Sequence, residues 1–178
     1  MKSLSKWFGA AAAVVLLGGT AMAGDVVYVG KVKSIDSTKK EVVLTADGKD
    51  STFKLGDNVV INRGGKDGND LKPDDAVSVL FDKGPLTWTA RYFLVKEGDY
   101  ANCGLERGAF KSMDPDKKQV TLTDEGGHDV SFAMGDAKVS LNKEDSKIEN
   151  YKIGDVTLAI VERVGDKATL KAIMVDRK

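Results

Sequence analysis

Gly30-Lys-Val-Lys-Ser-Ile-Asp36 returns later in the chain as Gly108-Ala-Phe-Lys-Ser-Met-Asp114. Both stretches alternate apolar and polar residues and end on an aspartate that opens a turn, the pattern of a half-buried strand. The match continues outward in order. Lys39-Lys-Glu-Val-Val-Leu-Thr45 returns as Lys117-Lys-Gln-Val-Thr-Leu-Thr123, and Phe53-Lys-Leu-Gly-Asp57 as Phe132-Ala-Met-Gly-Asp136. Leu71-Lys-Pro-Asp-Asp75 is matched by Tyr151-Lys-Ile-Gly-Asp155. The matched stretches lie roughly 80 residues apart. A repeat of this length argues for a duplicated structural unit.

Each copy reads as about five strands. The first ends at Asp36-Ser-Thr-Lys39 or Asp114-Pro-Asp-Lys117, where aspartate and proline suit the opening positions of a type I turn. The second strand covers Glu41–Ala46 and Gln119–Thr123, followed by Asp47-Gly48 and Gly126-Gly127, both hairpin signals. The third covers Ser51–Leu55 and Asp129–Met134. A short strand is expected at Val59–Ile61 and Lys138–Leu141. Two longer ones close each copy, Ala76–Phe81 with Thr87–Val95 and Val156–Glu162 with Ala168–Val175. The expected class is therefore all-β, as two tandem small five-stranded barrels, OB-like with SH3-like as second choice. Repeat 1 is expected over 24–96, a linker over 97–107 and repeat 2 over 108–178. A single helical turn near Leu71 or Ile148 is compatible with that plan.

The N-terminal residues read as an export signal covering 1–23. Lys2 and Lys6 precede the apolar run Trp7–Leu17, and Ala21-Met22-Ala23 is a small-x-small cleavage site. The run is shorter than the roughly 20 residues a spanning helix needs, and no second apolar segment follows. Cleavage after Ala23 implies a periplasmic or secreted protein with no integral membrane segment. Basic and acidic residues balance at 27 each, which lacks the electrostatic footprint of a nucleic-acid binder. Cys103 is the sole cysteine, so no internal disulfide forms. An unpaired thiol in an exported protein is a candidate for pairing with a small thiol or with another chain, here a dimer through Cys103, and equally reads as a free thiol packed near the linker.

Gly30-Lys-Val32, Ile35-Asp36, Val120-Thr-Leu122 and Lys152-Ile-Gly-Asp155 resemble a group of secreted bacterial domains of unknown function. The resemblance rests on turn and core positions, so it implies a fold and no activity. The barrel plan is also similar to that of CusF-type periplasmic copper-binding proteins, which use a histidine, two methionines and a nearby tryptophan. That similarity implies a copper(I) alternative with His128 and Met134 as ligands, which are suitably soft donors. The repeat argues the other way. Met113, Met134 and Met174 align with Ile35, Leu55 and Leu94, so they read as core filling. His128 sits in a glycine turn.

The loop Lys66-Asp67-Gly68-Asn69-Asp70 is acidic and glycine-rich. Leu71 stands where a calcium loop needs a ligand, so it reads as a solvated loop. Trp88 and Tyr92 have alanines, Ala168 and Ala172, at their places in the second copy. Together with Leu86, Ala90 and Leu94 they read as one strand face. That face is core, inter-domain packing, or a ligand-binding surface peculiar to the first copy. No Ser-His-Asp or Cys-His set is apparent, and the aspartates fall mostly in turns. The expectation is a non-enzymatic, cofactor-free binding or structural module of the cell envelope, its partner an unidentified protein or envelope component.

Overall fold

The computed structural model describes residues 25–64, 66–67 and 70–177. The expected signal segment lies outside them, as do Gly68 and Asn69 of the acidic loop. Every regular element of the described chain is a β-strand apart from two 3-10 turns. Its first half holds β1 (Asp25–Asp36), β2 (Glu41–Ala46), β3 (Lys49–Arg63), β4 (Lys66–Asp67), β5 (Ala76–Lys83) and β6 (Trp88–Val95). Its second half holds β7 (Cys103–Asp114), β8 (Gln119–Thr123), β9 (Asp129–Ala133), β10 (Lys138–Leu141), β11 (Glu144–Asp145), β12 (Val156–Val164) and β13 (Lys167–Val175).

In the first sheet β5, β1, β2 and β3 lie side by side, each antiparallel to the next. β6 then bridges β5 and β3, antiparallel to one and parallel to the other. Three hairpin-linked strands with a fourth returning beside the first form a Greek key. The fifth strand closes it into a five-stranded barrel, the OB-like plan. The second sheet repeats the order as β12-β7-β8-β9, with β13 on β12 and touching β9 at Thr169 and Ala133. Where β3 runs unbroken, the second half breaks into β9 and β10 at Gly135, whose φ is +53°.

Turn chemistry sets these strand ends. Asp47 and Gly48 both have positive φ, as a two-residue type I′ hairpin requires. The Asp36 carboxylate accepts backbone N–H groups of Thr38 and Lys39, and Asp114 accepts that of Lys117. Those bonds, the Lys39 and Lys117 amides foremost, hold both carboxyls below the usual range. The helical turn expected near Ile148 is a 3-10 turn, Ile148–Asn150.

Three apolar clusters hold the chain. One fills the first barrel with Val32, Val42, Leu44, Phe53, Val77, Val79, Phe81 and Phe93 among others. A second fills the other with Phe110, Val120, Leu122, Phe132, Val161, Leu170 and Ile173. The third joins them: Leu80, Tyr92 and Leu94 meet Cys103, Leu105, Ile160 and Ala172. The segment 97–107, expected as a linker, is therefore largely structural. Gly98–Tyr100 is a 3-10 turn, and from Cys103 onward the chain is already β7, paired with Val161 and Glu162 of β12. In this stretch Cys103 and Leu105 pack in the cluster between the barrels, whereas Glu106 and Arg107 pair with Arg163 and Glu125.

Candidate functional site

Trp88 opens β6 and points into the first barrel's mouth. Its ring centroid lies 5.5 Å from Phe53 and 5.1 Å from Phe81, and Lys83 Nζ stands 5.9 Å over the ring. Tyr92 does not share that face. Leu80 pairs with Tyr92 while Phe81 pairs with Ala90, so Arg91 is an extra residue, a β-bulge. The bulge resets the alternation. Trp88 and Ala90 lie in the barrel cluster, whereas Tyr92 and Leu94 lie in the inter-barrel cluster. Tyr92 is 9% exposed and its hydroxyl accepts a bond from Asn62 Nδ2 at 3.0 Å. The shared Trp88–Tyr92 ligand face is therefore corrected: Tyr92 is a packing residue, and Trp88 alone remains at a surface.

That surface is a shallow groove of about 400 Å³, lined by Glu41, Asp50, Ser51, Thr52, Lys54, Leu86, Thr87 and Trp88. Its floor is the outer face of β2 and β3, where Glu41 stands opposite Lys54 and Thr45 opposite Asp50. Lys54 pairs with Glu41 at 2.9 Å. Asp50 accepts a hydrogen bond from Thr45 Oγ1 at 2.6 Å and pairs with Lys33. The Lys33 contact first, then the Thr45 hydroxyl, hold the Asp50 carboxyl below its usual range. The wall is the β5–β6 hairpin. Gly84 N–H bonds Thr87 O, which leaves Pro85 and Leu86 at the tip, and Leu86 is 96% exposed.

The second barrel keeps one end of the floor and lacks both the wall and the Glu41–Lys54 pair, whose places hold Gln119 and Ala133. Lys111 pairs with Asp129, Thr123 bonds Asp129, and the Thr121 and Ser131 hydroxyls meet at 2.9 Å. Its hairpin tip is Gly165-Asp166, and Ala168 stands where Trp88 stands in the first. Glu41, Asp50, Thr52 and Lys54 were not singled out by sequence reasoning, and Leu86, expected on the same strand face as Trp88, instead lies at the hairpin tip before β6. An apolar residue next to Gly84-Pro85, where its counterpart is Asp166, was the signal that Leu86 sits at a turn.

His128 and Met134, the alternative copper ligands, are not brought together. β9 lies between them, about 20 Å of extended chain. The His128 side chain is 76% exposed with Nδ1 3.4 Å from Asp124 Oδ1, whereas Met134 and Met113 pack against the second barrel's core. Met174 packs in the inter-barrel cluster. Among the described residues no group of three or more His, Cys, Asp or Glu side chains is placed to hold a metal ion. Cys103 is buried in the inter-barrel cluster at 2% exposure, which corrects the expected dimer through this residue, because its sulfur is closed to another chain. No described helix is long and apolar enough to cross a membrane.

No protein-family model matches the chain, and no curated protein does. Among solved structures it is similar to CusF from Escherichia coli, a tryptophan-to-alanine variant with copper(II). That match has 18% identity and a TM-score of 0.33, and covers 43% of this chain and 94% of that one.

Proposed function

We propose that this chain is an exported, non-catalytic binding module of the cell envelope, built by duplication of one barrel. In this reading the first barrel holds the ligand through the groove between the outer face of β2–β3 and the β5–β6 hairpin. The observation that carries it is Leu86, a large apolar side chain left 96% exposed at the mouth of a groove that also reaches Trp88. The second barrel shows that the fold does not need that arrangement, since Asp166 serves at the same tip. A surface on the sheet face and loops is also where small Greek-key barrels hold ligands. The export half of the proposal rests on the Lys2–Ala23 pattern, and the non-catalytic half on the turn roles of the aspartates.

A photo-crosslinking residue placed at position 86 of the exported protein tests the reading in intact cells. A covalent adduct with an envelope component at position 86, and none at position 166, supports it. Equal or absent crosslinking at the two positions removes it.

A further inference from the structure

We infer that the Leu86–Trp88 groove takes an uncharged oligosaccharide. The inference rests on the binding reading above and names its ligand class. The lining divides into a narrow apolar wall and a broad polar floor. The wall, Leu86 with the part of Trp88 that reaches the groove, offers an apolar surface to the C–H-rich face of a pyranose ring. The floor offers acceptors at Glu41 and Asp50, a donor at Lys54 and a Thr52 hydroxyl that serves as either, and Thr87 adds a second hydroxyl from the wall. A ring of hydroxyls needs that mixture.

The charge of the floor excludes the main competitors. Glu41 is paired with Lys54 and Asp50 with Lys33, which leaves Lys83, over the Trp88 ring, as one added cation beside a floor of paired charges. A polyanion such as single-stranded nucleic acid needs unpaired cations for its phosphates. A basic peptide needs unpaired carboxylates. An uncharged ligand needs neither, and the paired carboxylates still keep lone pairs for its hydroxyls. The floor residues stand on hydrogen-bonded strands, so little ordering is required on binding. The second barrel lacks the wall and has Gln119 and Ala133 in place of Glu41 and Lys54, so the wall and that end of the floor are what set the first barrel apart.

Trp88 reports occupancy directly. The exported protein, cleaved after Ala23, has Trp88 as its single indole. It is titrated with tetrasaccharides of β-1,4-linked N-acetylglucosamine, β-1,4-linked glucose and α-1,4-linked glucose, with oligo-dT as the polyanion control. The expected result is a saturable change in emission with at least one tetrasaccharide and none with oligo-dT. Leu86→Asp, which copies the second barrel at a fully solvated tip, should weaken the midpoint about tenfold or more. Silence with all three sugars overturns the inference, and so does an unchanged midpoint in Leu86→Asp. If the sugars are silent while position 86 crosslinks to a protein in cells, the oligosaccharide falls and the binding reading stands. If position 86 crosslinks to nothing, the binding reading falls with it.

Discussion

Arg177 grips both oxygens of Asp155, Nε to Oδ1 at 3.1 Å and Nη2 to Oδ2 at 2.6 Å. The equivalent carboxylate of the first barrel, Asp75, is gripped by Arg63. The two arginines come from different places. Arg63 ends β3, whereas Arg177 lies two residues past β13, at the place that Glu97 fills in the first barrel. Glu97 there receives Arg63 Nη1 at 2.9 Å. Each aspartate also accepts a backbone N–H, from Lys72 or Lys152, and so ties the turn to the strand end. The same clasp is thus reached by two routes. A half-buried bidentate pair is among the stronger polar contacts. Arg177→Ala should lower the urea midpoint at pH 7. The Arg177 guanidinium, more than any other group, holds the Asp155 carboxyl below its usual range. The folded protein therefore binds that proton more weakly than the unfolded chain, and the clasp's contribution is full above about pH 4 and fades as acid is added. The gap between wild type and Arg177→Ala should narrow from pH 7 toward pH 2.5. A constant gap would mean that the pair contributes packing alone.

Asp74 and Gly154 occupy the same turn position with φ of 71° and 92°. In both turns the fourth residue's N–H bonds the first residue's carbonyl, Asp75 to Lys72 at 3.1 Å and Asp155 to Lys152 at 2.9 Å. Positive φ at the third residue marks a type II turn, which favours glycine there. Asp74 is thus held in the left-handed region, at a cost of about 1 kcal/mol for a side chain that tolerates it better than most. Asp74→Gly should raise stability by up to about 1 kcal/mol, less the entropy the unfolded chain gains. Gly154→Asp should lower it by about the same amount. Chemical denaturation of the reciprocal pair checks both signs, and two changes of the same sign would refute the argument.

The barrels were legible because their signals are local. Asp47-Gly48 marks a hairpin wherever it stands, and the alternation of Val42, Leu44 and Phe53 marks an inward face. The bulge at Arg91 was not legible, since it is defined by how two strands pair and any residue can fill it. Alternation carried through it put Tyr92 beside Trp88, on the wrong side of the strand. The run Tyr92-Phe93-Leu94-Val95 did hold a clue. Four consecutive apolar residues fit a strand buried on both faces, and here one face is the barrel and the other the second barrel. The same contact turned an expected linker into strand β7. The groove was half visible: Trp88 stood out through the repeat, whereas Glu41, Thr52 and Lys54 are ordinary outward residues until a hairpin is seen beside them.

Cys103 should behave as a closed thiol. It lies at 2% exposure between the barrels, with Sγ 3.9 Å from the Asp99 carbonyl. Burial first, and the Glu162 charge second, push its pKa up, so little thiolate exists at neutral pH. An aromatic disulfide reagent should label the native protein at least about a hundredfold more slowly than the urea-unfolded chain, since labelling must await opening. The native protein should also run as a monomer on a non-reducing gel. Rapid labelling without denaturant would show that the cluster around Leu105 and Ile160 opens readily.

That cluster implies that the two barrels unfold together. Separating them would expose Leu80, Tyr92 and Leu94 on one side and Leu105, Ile160 and Ala172 on the other. Each large side chain freed to water costs about 1.5–3 kcal/mol, which makes a half-folded species scarce. Ile160→Ala places the damage on β12, in the second half of the chain, and should cost about 2–5 kcal/mol. Trp88 reports on the other half, since it packs against Phe53 and Phe81 of the first core. If the halves are coupled, the Trp88 fluorescence midpoint in urea falls with the far-ultraviolet circular dichroism midpoint in Ile160→Ala. If they are independent, the Trp88 transition stays at the wild-type midpoint while the dichroism splits into two steps.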